Sequence, residues 1–458
     1  MTEQAAPQTE EQTYRLPFMV VTGLFFLWGF ITCMNDILIP YLKDVFSLNH
    51  TQAMFVQFSF FGAYFVGSLA YFLVSMKRGD PIGRMGYKNG IIIGLLLSAL
   101  GTALFYPAAE LVSYGFFLSA LFILGLGFTL LQIAANPYVA ILGAERTASS
   151  RLNLAQGFNS FGTTIAPVIG GFLIFTYFAG HSGAGSVKIP YLIFAGMFVL
   201  MAVVMRIAHL PEFTGGHSVE RGAGALRHRH TVFGMIAIFM YVGAEVSIGS
   251  IMISYLGLQE IAGLAPAQAS TYVAFYWGGL MIGRFLGAIS LSGVRSEWKY
   301  AVMVAIPFAA FFIIAALKGW GIASVYSIFL VTGLIGFFVG QGRPAHTLML
   351  FALIAVVLLA ITLLSTGSVA MWTVIGVGLF NSIMWSNIFT LAIAKLGKDT
   401  SQASSLLVMA IVGGAILPVL QGVAADTFGV HASFVVPMAA YGYIAWYGWR
   451  GYRVTTYD

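Results

Sequence analysis

Apolar blocks of about 20 residues, the length that crosses a hydrocarbon core as a helix, recur along almost the whole chain. They run approximately at 17–42, 52–76, 87–107, 112–141, 152–178 and 189–209. After a polar stretch they resume at 231–257, 267–292, 299–317, 321–340, 345–365, 368–394, 402–425 and 430–448. Hydrophobic residues make up 59% of the chain and charged residues 8%, against about 25% charged in a soluble domain. Helices in lipid satisfy their own backbone hydrogen bonds, so the pattern predicts an all-α polytopic membrane protein with 14 transmembrane helices. The 53 glycines fit this class, because small residues let membrane helices approach closely.

Loop charges orient the chain. Lys and Arg concentrate on the cytoplasmic side of a membrane. With the N-terminus inside and the loops alternating, only Lys43, Lys188 and Lys318 of the 22 basic residues fall outside. One missed or invented span would reverse every later loop, so the split predicts an even count and cytoplasmic termini. The expected location is the plasma membrane of a bacterium, its inner membrane. The partners are the lipid bilayer and a small solute, and a monomer is expected. The basic residues are spread through loops rather than gathered in a patch, which argues against nucleic acid.

The chain also repeats itself. Gly162, Pro167, Val168 and Gly171 match Gly413, Pro418, Val419 and Gly422 at an offset of 251. Earlier, Gly29, Tyr41 and Leu42 match Gly243, Tyr255 and Leu256 at 214, and Gly62 and Gly67 match Gly278 and Gly283 at 216. The offset grows by 35 residues, close to a helical hairpin, between the second and fifth helices of the later half. The arrangement expected is therefore a cytoplasmic tail (1–16), an N-terminal six-helix bundle (17–210) and a cytoplasmic linker (211–230). A C-terminal bundle (231–458) follows, with an inserted helix pair at about 297–342 packed at its periphery. Inverted or parallel repeats of this kind are characteristic of transporters.

Ionisable residues within spans are costly and mark function. Of 16 carboxylates, only Asp36 and Glu245 sit well inside spans, the first and the seventh, and no Lys or Arg lies at matching depth. A carboxylate in a low dielectric can take up and release a proton, or it can bind a hard cation with neighbouring oxygen ligands. Asn35 and Thr32 are the candidates to complete such a site around Asp36. Amides supply both donors and acceptors, as sugar hydroxyls require. Gln132 and Asn136 are four apart and share a helix face; Gln156 and Asn159 open the fifth span; Asn381 and Trp385 are four apart, with Asn387 beyond. Trp28, Trp277 and Trp385 offer flat apolar faces to a sugar ring, and an aromatic pocket with a few fixed polar groups is the usual small-ligand site. Pro137, Pro167 and Pro418 read either as hinges or as ordinary kinks.

Other chemistries find little support. The glycine-rich GRMGYKNG (Gly83 to Gly90) has no strand before it and is not a nucleotide fingerprint. No P-loop, nucleophile–base pairing or cofactor motif is present, so neither ATP-driven transport nor an enzyme is expected. His217, His228 and His230 read as part of a solvated basic loop rather than a metal site. The Asn49-His50-Thr51 sequon reads as chance.

The strings MNDILIPYLK (Met34 to Lys43), YKNGIIIGLLLSALGTALFYPAAE (Tyr87 to Glu110), AANPYVAILG (Ala134 to Gly143), RLNLAQGFNSFG (Arg151 to Gly162) and YVGAEVSIGS (Tyr241 to Ser250) carry a family resemblance. Over roughly 17–452, except about 297–342, the chain resembles the major facilitator superfamily, and within it the fucose–galactose–glucose symporters. The resemblance implies a twelve-helix core around a central sugar cavity, with Asp36 at the position of a coupling carboxylate. Where the fucose transporter has a glutamate before AANP, this chain has Gln132, which cannot titrate. Together with Glu245, that is similar to the bacterial glucose/galactose branch, which is associated with sodium. The expected function is thus symport of D-glucose or D-galactose with sodium, bound at Asp36. The alternatives are a proton-coupled hexose or fucose symporter, or a membrane sensor that binds sugar without moving it.

Overall fold

A computed structural model of the protein describes residues 14–78, 81–142, 148–178, 184–211, 224–290, 296–340, 343–396 and 400–454. Most of the expected tail and linker lie outside these residues. The chain forms fourteen spans: α1 (Arg15–Val45), α2 (Phe55–Arg78), α3 (Tyr87–Ala103), α4 (Tyr114–Ile141), α5 (Ala148–Phe172), α6 (Lys188–Ile207), α7 (Arg229–Leu256), α8 (Pro266–Ser290), α9 (Ser296–Lys318), α10 (Trp320–Gly340), α11 (Pro344–Leu364), α12 (Gly367–Asn381), α13 (Gly413–Phe428) and α14 (Val435–Trp446). Among the described residues, thirteen helical segments are long and apolar enough to cross a membrane. The fourteenth, α14, is lengthened by a five-residue π turn, Tyr447–Gly451. Pro167 and Pro418 sit inside helices that continue through them.

Helix pairing makes the repeat explicit. In the N-terminal half α1 packs on α5, α2 and α3 on α4, and α3 on α6. The later half repeats this with α7 on α13, α8 and α11 on α12, and α11 on α14. Helices α9 and α10 pair with each other and have no counterpart, so they are the inserted hairpin. Only 17% of the apolar window of α9 is buried, against 83% for α7, and Phe308, Phe312, Ile313 and Leu317 face outward. The hairpin rests against α8, α10 meeting α11 and α12, away from the α1–α7 seam.

The repeated glycines explain the closest pairings. A Cβ on Gly162 would collide with the carbonyl oxygen of Phe26 on α1, and one on Gly413 with that of Phe239 on α7. The two halves therefore use the same device to seat α5 on α1 and α13 on α7.

The halves meet along α5–α8, α2–α13 and α1–α7. We call outer the end that the loop charges place outside. There Asp426 of α13 reaches the short helix His50–Ala53 that precedes α2. Its carboxylate accepts from His50 N (2.8 Å), Thr51 N (2.8 Å) and Thr51 Oγ1 (2.6 Å). Helix N-termini carry unsatisfied N–H groups that an acidic side chain caps, so one half caps a helix of the other. Asn49 completes the turn with a capping box to Gln52, so the Asn49-His50-Thr51 sequon has a structural role. The sole ion pair among the described residues, Lys188–Glu110 at 2.7 Å, also lies at the outer end.

Candidate functional site

Asp36 lies on α1 between the two halves, 2% exposed. Counting about 1.5 Å per residue, it is roughly 13 Å below the outer end of α1. Four donors converge on its carboxylate. Oδ2 accepts from the Trp277 indole N–H of α8 (3.1 Å) and the Cys33 thiol (3.6 Å). Oδ1 accepts from Gln57 Nε2 of α2 (3.2 Å) and Ser250 Oγ of α7 (3.4 Å). Gln57 Nε2 also donates to Ser250 Oγ (2.8 Å), and Gln57 Oε1 accepts from Asn35 Nδ2 (3.3 Å). Cys33, Asn35 and Gln57 come from one half, Ser250 and Trp277 from the other.

This arrangement corrects two expectations. Asn35 touches Asp36 only through Gln57. The Thr32 hydroxyl donates to its own helix, to Trp28 O at 2.9 Å. The partners of Asp36 in this structure are thus N–H, O–H and S–H donors. Trp277, expected as a ring face for sugar, spends its N–H on the carboxylate. Trp28 likewise donates to Tyr64 OH (3.3 Å).

Glu245 belongs to a second cluster, deeper in the C-terminal half. Its Oε1 accepts from Tyr241 OH (2.6 Å), and its carbonyl oxygen accepts from Tyr276 OH (3.0 Å). Tyr276 OH in turn accepts from Asn381 Nδ2 (2.8 Å). Arg284 of α8 lies within electrostatic reach of Glu245, contrary to the expectation of no basic residue at that depth. Arg284 Nη1 also donates to Ser160 Oγ of α5 (2.6 Å), bridging the halves. A long flexible side chain carries its charge well away from its Cα, which position along the helix does not reveal.

Buried polar atoms almost always find partners, so orphans call for explanation. Gln132 Oε1 and Asn136 Oδ1 of α4, Asn381 Oδ1 of α12 and Gln421 Oε1 of α13 are buried without one, as is Ser382 Oγ. Of these four amide acceptors, those of Gln132, Asn136 and Asn381 belong to the residues expected to meet the sugar.

The remaining candidates serve the scaffold. Asn159 Nδ2 donates to Phe25 O (3.0 Å), tying α5 to α1. Asn387 Nδ2 donates to Pro344 O (3.0 Å), tying the continuation of α12 to α11. Gln156 is half-buried near the inner end of α5. The helix is interrupted after Asn381 and resumes as Met384–Ala392. Asn381 is buried in the C-terminal cluster, whereas Trp385 stacks on Phe389 (6.1 Å). Ser382, Ser386, Asn387 and Arg284 line a small crevice beside the break. His230, expected in a solvated loop, is fully buried at the start of α7 with Nε2 3.0 Å from Ala394 O; His217 lies outside the described residues.

Sequence reasoning missed Gln57, Ser250, Tyr241, Tyr276 and Tyr441. For Ser250 a signal existed: the 214-residue offset of the repeat carries Asp36 onto it. The offset does not carry Asp36 onto Glu245, so the two acids are not repeat equivalents.

Comparison with known proteins agrees with this architecture. Residues 18–345 match the family described as Major Facilitator Superfamily. The glucose/galactose transporter of Brucella abortus biovar 1 (strain 9-941) is 43% identical over 449 residues, 97% of this chain and 96% of that protein. The L-fucose-proton symporter of Escherichia coli K12 is 31% identical over 462 residues, covering 95% of this chain and 93% of that one. A solved structure of the superfamily transporter FucP in the outward conformation superposes with a TM-score of 0.64 at 30% identity, covering 96% of this chain and 99% of that one. The chain belongs to the Major Facilitator Superfamily, to the family that includes these glucose/galactose transporters and fucose symporters, and it is a multi-pass membrane transporter rather than an enzyme.

Proposed function

We propose that the protein is a secondary active hexose symporter that carries D-glucose or D-galactose into the cell by alternating access, with a proton as the coupling ion and Asp36 as its carrier. The observation behind this reading is the carboxylate of Asp36, buried between the halves and bonded to both. A proton on Asp36 turns an acceptor oxygen into a donor, so not all four contacts survive protonation. Those lost to Trp277 or Ser250 are contacts between halves. Protonation and the relative position of the halves are then linked by one group, which is what coupling requires.

The choice of proton over sodium rests on the relative named as an L-fucose-proton symporter. The sugar assignment rests on the orphaned amide oxygens of Gln132, Asn136 and Asn381, which suit hydroxyl donors, and on relatives named for glucose and galactose. Residues 210–230 then face the cytoplasm together with both termini.

Uptake of labelled glucose, galactose and fucose into proteoliposomes tests the proposal, with proton and sodium gradients imposed separately. Accumulation against a concentration gradient is expected with the proton gradient. Accumulation with sodium alone would move the coupling ion back to sodium. Counterflow without accumulation would make the protein a facilitator, and binding without counterflow a sensor.

A further inference from the structure

We propose that Gln57 is the residue that positions the Asp36 carboxylate and ties it to the opposite half; this rests on the reading of Asp36 as the coupling carboxylate. Gln57 is 2% exposed, and the contacts of its amide leave it one orientation. Asn35 Nδ2 donates to Gln57 Oε1 at 3.3 Å, which turns the Nε2 group towards Asp36 Oδ1 (3.2 Å) and Ser250 Oγ (2.8 Å). Flipping the amide would set its oxygen against the carboxylate oxygen and its NH₂ against that of Asn35, two unfavourable contacts for two favourable ones.

Both N–H groups of the amide are therefore used, one on the carboxylate of the N-terminal half and the other on a hydroxyl of the C-terminal half. Ser250 Oγ closes the triangle by donating to Asp36 Oδ1 at 3.4 Å. An amide does not titrate, so Gln57 presents the same donor to Asp36 at every pH. Tyr276 of α8, Glu245 of α7 and Cys33 of α1 itself are the other titratable groups that act on or are acted on by Asp36; none of them fixes the carboxylate to α2 as Gln57 does. Asn35 acts one step further back, by orienting the amide.

The experiment is sugar uptake into proteoliposomes over a pH series at a constant imposed proton gradient, with counterflow measured in parallel. The proteins compared are the wild type, Asp36→Asn, Gln57→Leu and Asn35→Leu. A hydrogen bond to a charged group is worth about a tenfold change in equilibrium, which is about one pH unit. Gln57→Leu is expected to move the pH of half-maximal accumulation upward by about one unit. Asn35→Leu is expected to move it the same way by less. A uniform loss of uptake at all pH values, with the profile unmoved, would reduce Gln57 to a packing residue and overturn the proposal. If Gln57→Leu does not fold, Asn35→Leu carries the same readout, and an unmoved profile there is equally adverse. Wild-type accumulation by Asp36→Asn would remove the coupling reading itself. Loss of accumulation by Asp36→Asn beside a wild-type profile for Gln57→Leu would remove only the role of Gln57.

Discussion

Asp36 and Ser250 lie 214 residues apart at matching positions of the two repeats, and their side chains meet, Ser250 Oγ standing 3.4 Å from Asp36 Oδ1. Two residues related by a pseudo-twofold axis touch only where they approach that axis. The buried carboxylate is therefore at the seam about which the halves are arranged. Any relative movement of the halves changes its surroundings at once.

Asp36→Asn should lose accumulation by about tenfold or more while retaining measurable exchange. An asparagine keeps one acceptor oxygen but turns an NH₂ towards donors such as Trp277. Gradient-driven uptake beside counterflow checks this, and full accumulation by the variant would refute a coupling role.

Asp426→Ala should loosen the contact between the halves at the outer end, where it caps the His50–Ala53 helix. Loss of an N-cap costs about 1 kcal/mol, equivalent to roughly a fivefold shift towards an outer-open arrangement. Cys33 is the chain's single cysteine and is buried between the halves beside Asp36. Its rate of reaction with an impermeant maleimide added from outside should rise by about that factor; an unchanged rate would mean that Asp426 does not hold the outer ends together.

Gly162→Ala and Gly413→Ala should each destabilise the protein by about 1–3 kcal/mol, because the added methyl meets backbone oxygen that cannot move aside. Gly62→Ala, with nothing within 4 Å of the added methyl, is the control. Thermal unfolding in detergent, followed by size-exclusion fluorescence, should rank the control nearest the wild type.

Gln132→Ala and Asn381→Ala should weaken sugar binding by about tenfold each. The orphaned oxygens of both are open to a ligand, whereas Asn381→Ala also removes the donor to Tyr276 OH and should lower stability as well. Sugar affinity by counterflow half-saturation is the measurement. An unchanged affinity with a lowered melting temperature would mark them as structural.

Much of the architecture is legible along the chain, because its causes are local. Span length, the bias of Lys and Arg, and the rarity of acids inside apolar blocks are properties of successive residues. They led to the fourteen spans, to the inserted pair and to Asp36 itself. The repeat offset of 214, also readable without coordinates, holds a signal for Ser250 that the sequence reading did not use.

The company Asp36 keeps was decided only in three dimensions. Gln57, Ser250 and Trp277 arrive from α2, α7 and α8, and which of their faces turn inward depends on how each helix rotates and slides against its neighbours. Glycine contacts such as Gly413 on Phe239 seat α7 against its neighbour, and sequence separation does not encode them. The same holds for the interruption of the helix after Asn381, and for Arg284, whose long side chain reaches Ser160 on the opposite half. Sequence by itself determined that a carboxylate is buried in the first span; tertiary packing determined that it bonds to both halves, because only packing brings donors from four helices to one pair of oxygens.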